Sequence, residues 1–480
     1  MIDPDKKLFR WGPLDAAVLP LGYSIEASFD LMKDLFGICW PESFIIFDHD
    51  QALWILESES VAKTSHDFTE KVILSGKDKA FYELWKSKVL DLNNIQEKIT
   101  DINFTIFNND ELDRLLKAWS QIYLNFWAVG MTAELINYSL EFRLKASIKN
   151  KLTDERDINE AFALLSTPSK LSFYKEEEMD LMEIALLKGT ARDERLKLHQ
   201  KKYSWIYNNY LNTKELDNKY FSDQIKHTQV TDADEFLKEF SEYESKINQQ
   251  KKKLASKLDF STEEKTIVDS MNDSVIFQDE RKKYNLIAAS FLEKFLVEIA
   301  KRTNISVRDL KWLLPSEIEK ILKNNDFEKL IEQRKYLAVI LCSNGKTEID
   351  VREKASKKKG VFEESEFDKS VNLQGTVAST SNNRYFRGTA RIISSPKEGD
   401  KLKEGEILVT TMTTPDFVVL MKKAGAIITD VGGVTCHAAI VSREFGKPCI
   451  VGTNNATKFI KDGDILELHN LRGTVKIIPS

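Results

Sequence analysis

The stretch Asp430–Thr453, DVGGVTCHAAIVSREFGKPCIVGT, decides how the C-terminal part of this chain is read. Just before it, Ala426-Ile427-Ile428-Thr429 is a short apolar, β-branched run that reads as a buried strand. Gly432-Gly433 then breaks the chain. From about Thr435 the pattern is helical, with Ala438, Ala439, Ile440 and Val441 as the apolar body and Gly446 placed to act as the C′ residue. His437 therefore falls in the first turn of a helix. Free backbone N–H groups and the positive end of the helix dipole favour an added dianion there, and the two glycines let a bulky phosphoryl donor approach the backbone. On this reading Thr435 caps the helix and offers its hydroxyl to phosphoryl oxygens, with Gly432, Gly433 and Cys436 completing the supporting loop. Arg443, nearly two turns on, either pairs with the phosphate or braces the helix C-terminus, and the second is favoured. His437 itself is expected to be exposed and to contribute little packing.

Gly432, Gly433, Thr435, Cys436, His437, Ala438, Ala439, Ile440, Val441, Ser442, Arg443 and Glu444 reproduce the GG-x-T-[CS]-H-A-A-I-V-[SA]-R-E motif. In this the chain resembles the phosphohistidine, or mobile, domain of the phosphoenolpyruvate-utilising enzymes, the family of phosphoenolpyruvate synthase, pyruvate phosphate dikinase and rifampin phosphotransferase. The resemblance implies that His437 carries a phosphoryl group on Nε2 and shuttles it between separate sites on a swivelling β/β/α domain. It extends upstream through a strand at Ile407–Thr410 and the sequence Met412-Thr413-Thr414-Pro415-Asp416, which opens a helix ending at Gly425. Downstream it takes in strands at Ile465–Leu468 and Thr474–Ile478, read as a closing hairpin. The domain is placed at 373–480. His49, His66, His199, His227 and His469 lack comparable context and read as surface or structural.

Composition constrains the rest. With 42% hydrophobic and 30% charged residues, 480 residues describe a globular chain of two to four domains, and the order of its elements, helices before a strand-rich domain, makes it multidomain α+β. A net charge of −5 gives no electrostatic reason to expect nucleic acid or an anionic membrane. No apolar run is long enough to span a bilayer, and the N-terminus lacks a signal-peptide layout. The four cysteines, Cys39, Cys342, Cys436 and Cys449, show no C-x-x-C spacing, which fits a cytoplasmic location and indicates no metal site.

All eight Trp lie at or before Trp312, whereas eleven of nineteen Gly follow Gln374, so helices are expected to give way to a turn-rich domain. Residues 1–80 read as a small α/β region, with strands at Phe44–Phe47 and Ala52–Leu56 joined at a polar Asp48-His49-Asp50 turn. Residues 81–350 read as a helical domain. Within it Tyr284, Ile287, Ala288, Phe291, Phe295 and Ile299 give one amphipathic face between Ile276 and Thr303, and a further helix starts near Ser316. Leu115–Ile148, interrupted at Gly130, carries Trp119, Tyr123, Phe126, Trp127, Met131 and Phe142, which form either a bundle core or the wall of a pocket for an acceptor. The highly charged segment 351–372 reads as an exposed linker, either an ordinary solvated loop or the tether of a swivelling domain.

The family's nucleotide half is a glycine-rich ATP-grasp module, and its phosphoenolpyruvate-binding barrel follows the histidine domain. This chain has one Gly-Gly pair, no G-x-x-x-x-G-K-[ST] loop and 43 residues after His437. The expectation is therefore a phosphotransferase component that binds no cofactor itself. ATP and Mg²⁺ are implied through a separate ATP-grasp nucleotide-binding subunit, and the phosphoryl group passes to a small-molecule acceptor, a division resembling phenylphosphate synthase. The alternative is a non-catalytic regulatory or partner-binding phosphohistidine-domain protein.

Overall fold

The computed structural model describes residues 2–4, 6–226, 228–323, 327–343, 346–362, 373–380 and 385–478. The chain divides into two compact units, 1–139 with 209–212 and 288–370, and 140–208 with 213–287 and 371–480. The expected boundaries at 80 and 350 do not match this division, because the chain crosses between units inside two long helices, Thr132–Lys149 and Thr262–Thr303.

The first unit contains a five-stranded antiparallel sheet of β1 (Leu8–Asp15), β2 (Ser43–Asp48), β3 (Gln51–Glu57), β4 (Leu337–Ser343) and β5 (Lys346–Val351), in the order β1-β3-β2-β4-β5. The hairpin expected in the N-terminal region is present, with Asp48 paired to Gln51 and His49 at φ 54° in the turn. Residues 1–80 nevertheless do not stand alone. β4 pairs with β2 along its length, so a segment expected to be helical returns as the next strand. Its Ala338-Val339-Ile340-Leu341 run and the Asn344-Gly345 pair are ordinary strand and hairpin signals. Phe44, Ile46, Ile55 and Val339 share one core with Ala355 of the helix Arg352–Phe362, and Phe362 packs on Phe44 at 4.4 Å between ring centroids. That helix occupies half of the expected exposed linker. Lys359 pairs with Asp48 at 2.8 Å and Lys358 with Asp350, so the basic block is tied to the sheet at these two residues while Lys354 and Lys357 stay exposed. The remainder, 363–372, lies outside the described residues.

The helices of this unit follow local signals. Asn108 accepts from the Glu111 amide at 3.0 Å and Glu111 accepts from the Asn108 amide at 2.9 Å, a reciprocal cap that starts the helix Asn109–Gly130. Trp119 and Phe126 are fully buried and Tyr123 and Trp127 nearly so, Trp119 lying within 5.8 Å of the rings of Tyr23, Tyr123 and Phe295. This part of the aromatic stripe is core. Phe142, further along, is 76% exposed and belongs to no core.

The second unit holds an eight-stranded sheet of β6 (Leu373–Gln374), β7 (Thr376–Ser379), β8 (Tyr385–Ile392), β9 (Ile407–Thr410), β10 (Ala426–Thr429), β11 (Cys449–Val451), β12 (Ile465–His469) and β13 (Thr474–Ile478). The order is β6-β13-β12-β8-β9-β10-β11-β7, with β8, β9, β10 and β11 parallel and the other pairs antiparallel. Its two ends, β6 and β7, are separated in sequence by Gly375 alone, so the sheet curls back on itself. A Cβ at Gly375 would stand 2.5 Å from the Val451 carbonyl oxygen, which is why glycine occupies the corner. Central strands are covered on both faces and therefore read as unbroken apolar runs. Ile407, Val409, Ala426 and Ile428 point into one core with Leu466 and Leu468. Leu408 and Ile427 point into another, shared with Ala438, Ala439 and Val441 and with Phe173, Tyr174, Tyr203, Trp205 and Phe221 of the helical segment.

Replacing Trp119 with Ala should lower the stability of the first unit by about 3–5 kcal/mol, the usual cost of deleting a large buried aromatic. Urea denaturation checks this, and a change under about 1 kcal/mol would show a soft site able to take a ligand instead.

Candidate functional site

The helix His437–Glu444 follows β10 and the Gly432-Gly433 turn, and Gly446, at φ 61°, ends it as the C′ residue. The N-cap position belongs to Cys436, whose side chain makes no capping bond. Thr435 is therefore not the cap the sequence suggested. Its amide and hydroxyl both donate to Glu141 Oε1, at 3.2 and 2.5 Å. Gly433 stands beside them, and the Glu141 carboxylate fills the space where a Cβ would be.

His437 is 6% exposed, not the solvated residue expected from its place in the first helical turn. The cover is non-local: the ring of Tyr174, from the helical segment, meets the imidazole edge-on at 5.7 Å. Nδ1 lies 2.8 Å from Thr413 Oγ1, and Nε2 has no hydrogen-bond partner among the described residues. A buried N–H without an acceptor costs more than a buried lone pair without a donor, so the favoured tautomer carries its proton on Nδ1, donating to Thr413. Burial holds the imidazole well below its ordinary pKa, and the positive charge of Lys282 lowers it further. The ring is neutral, with its free lone pair on Nε2. A nucleophile toward phosphorus needs that form.

The remaining candidates are structural. Arg443 Nε donates to the Ala378 carbonyl of β7 at 2.7 Å and Nη2 reaches Ser166 Oγ at 3.4 Å, so the side chain ties its helix to β7 and to the helical segment instead of bracing its own C-terminus. Burial lowers its pKa, and Nη1 is buried with no hydrogen-bond partner among the described residues. Burial raises the Cys436 thiol, which keeps it protonated and unreactive. Glu444 accepts from the Ser172 amide at 2.9 Å and the Ser172 hydroxyl at 2.7 Å, and burial raises its pKa. Of the other histidines, His199 is a buried bridge between Asp180 and Glu177, and His469 Nδ1 accepts from the Leu471 and Arg472 amides. His227 lies outside the described residues.

Thr413, Tyr174, Lys282 and Glu141 were not singled out as site residues from the sequence. Thr413 stands inside the Met412–Asp416 segment, whose sequence signals only the opening of a helix. The other three come from distant helices and carry no local signal. A cavity of about 100 Å³ lies alongside, lined among others by Ser172, Phe173, Asp279, Tyr284 and Ile440, the last one turn beyond His437 on the same helix. Burial raises the carboxyl of Asp279, which accepts from the Phe173 amide at 3.0 Å.

Residues 402–473 match the family described as PEP-utilising enzyme, mobile domain. Over 124 residues the chain is 49% identical to a probable phosphoenolpyruvate synthase of Archaeoglobus fulgidus, a match covering 26% of this chain and 16% of that protein. It is 57% identical over 88 residues to the phosphoenolpyruvate synthase of Pyrococcus furiosus, covering 18% of this chain and 11% of that protein. The phosphoenolpyruvate synthase of Aquifex aeolicus is 57% identical over 77 residues, 16% of this chain and 9% of that protein. The chain thus spans 16% or less of the length of these relatives, and the likeness concerns the histidine domain.

The depressed pKa of His437 fixes the sign of a pH effect. Between its folded pKa and the unfolded value near 6.5 the unfolded chain binds the extra proton, so the contribution of His437 is full above about pH 6.5 and is lost as pH falls below it. Stability of the wild-type protein relative to His437→Asn should therefore fall by up to about 1.4 kcal/mol per pH unit below that point, with the raised carboxyls of Asp279 and Glu444 common to both proteins. Urea titrations at a series of pH values check it; a difference that does not change with pH would mean that His437 is solvated.

Proposed function

We infer, from the C-terminal region being a mobile domain of the PEP-utilising enzymes and thus the phosphohistidine domain of a phosphotransferase family, that this chain is the carrier component of a split phosphotransferase. The observation that carries the reading is the state of His437, a neutral imidazole whose Nδ1 is engaged by Thr413 and whose Nε2 is unengaged among the described residues. The Nε2 lone pair attacks phosphorus in line, the Nε2–P bond forms, and the P–O bond to the leaving group breaks with its electron pair passing to the leaving oxygen. Thr413 holds the Nδ1 proton through the step. In the second half an acceptor hydroxyl oxygen attacks phosphorus, the N–P bond breaks with its pair returning to Nε2, and the hydroxyl proton passes to a base or to solvent.

The phosphoryl donor in this reading is ATP with Mg²⁺, held by a separate ATP-grasp subunit in the cytoplasm. No helix among the described residues is long and apolar enough to cross a membrane. The acceptor is a small molecule presented by the helical segment between 140 and 287. Support comes from the shared core of that segment with the histidine helix, from Tyr174 against the imidazole, and from the cavity beside Ile440. Asp279, a carboxyl raised by burial on the cavity wall, is the candidate to receive the acceptor's proton.

Incubation with ATP, Mg²⁺ and the ATP-grasp partner should give a single phosphoryl adduct by intact mass, lost on brief acid treatment as a phosphoramidate is. His437→Ala should incorporate none. An acid-stable adduct, or labelling that survives the substitution, would place the phosphate elsewhere. A protein that accepts no phosphoryl group from any ATP-grasp partner would instead be a regulatory or partner-binding module.

A further inference from the structure

We propose that Glu141 is a carboxylate latch that closes the phosphoryl cradle of the discharged carrier and must be displaced each time His437 is loaded. The inference rests on the reading of His437 as the carrier. In that reading the donors at the start of the histidine helix, foremost the amide and hydroxyl of Thr435, receive the oxygens of a phosphoryl group on Nε2. In the structure both already donate to one oxygen of Glu141. The carboxylate is an anion in an anion's place. It comes from the helix Thr132–Lys149, remote in sequence from the motif, and Gly433 leaves the space in which it sits.

The histidine that would carry the group lies two residues on from Thr435. His437, more than nine-tenths buried, has its Nε2 unpartnered among the described residues while its Nδ1 is held. A nitrogen meant for phosphorus is therefore shielded from solvent and from adventitious electrophiles in the pose that Glu141 helps to hold. Loading places a dianion next to this carboxylate, in competition for the same two donors. Like charges in a partly desolvated site repel strongly, with Lys282 acting on the imidazole and Arg443 and Lys145 on the carboxylate. Glu141 therefore favours the closed pose only while His437 is bare. As the phosphoryl group departs to an acceptor, the carboxylate regains Thr435 and opposes reloading in place.

The test uses the full chain and potassium phosphoramidate, a small donor that needs no ATP and no partner. In that reaction the His437 Nε2–P bond forms as the P–N bond breaks and ammonia leaves. Diethyl pyrocarbonate serves as a second, uncharged probe of the same nitrogen, and peptide mass spectrometry reads modification at His437 alone. Glu141→Ala should raise the rate with both reagents about tenfold, the scale expected for losing charge-assisted hydrogen bonds that hold a closed state. Glu141→Gln, which keeps an acceptor but not the charge, should fall between it and wild type. Thr435→Val should also speed modification but shorten the lifetime of the phosphorylated form, because it removes a donor that both occupants use. Rates for the Glu141 variants equal to wild type with both reagents would overturn the latch. So would a Thr435→Val protein that modifies no faster than wild type. Neither result depends on whether an ATP-grasp partner loads His437, so failure of the latch and failure of the carrier reading are separable.

Discussion

The site depends on one constraint: an imidazole that is to attack phosphorus must be neutral, and burial is what keeps it so. Water would leave a histidine partly protonated near neutral pH, whereas the low-polarity surroundings of His437 and the charge of Lys282 both penalise the cation. The other features answer needs that burial creates. Nδ1 requires a partner and finds Thr413; the Thr435 amide, just before the helix, requires an acceptor and finds Glu141. Gly433 gives the carboxylate room.

Burial of this kind has an energetic consequence for a mobile domain. The core that covers the histidine helix joins Ala438, Ala439, Val441, Leu420 and Met421 to Phe173, Tyr174 and Trp205, and polar pins run from Ser172 to Glu444 and from Lys422 to Glu178. A carrier that visits a second site must re-expose that apolar area, at roughly 25 cal/mol per Å². The ionic pins weaken in water and with salt.

Much of the histidine domain was legible because its determinants are local. The β-branched runs at Ile407–Thr410 and Ala426–Thr429, the Gly432-Gly433 break, the HAAIVSRE helix with Gly446 at its end and the closing hairpin all appear where short-range pattern places them. The errors share one cause, which is non-local pairing. The Leu337–Val351 hairpin carries strand chemistry, but only its register with Ser43–Asp48 assigns it to the N-terminal sheet. The charged segment after it looked solvated because Lys358 and Lys359 are hydrophilic, yet their partners Asp350 and Asp48 lie on that sheet. His437 looked exposed for the same reason: a helix-start histidine is buried only if something distant covers it, and Tyr174 does so. Thr435 was read as a cap because its local alternative, a donor to a carboxylate on another helix, cannot be inferred from spacing.

The central claim is that His437 stands neutral with its proton on Nδ1 and its reactive lone pair on Nε2. Nitrogen NMR of the histidine-labelled protein near pH 6 tests it most directly. The account predicts one protonated, pyrrole-type nitrogen at Nδ1 and one bare, pyridine-type nitrogen at Nε2 for His437, with nitrogen–phosphorus coupling appearing at Nε2 once the protein is phosphorylated. An imidazolium signal for His437 at that pH, or coupling at Nδ1, would contradict it.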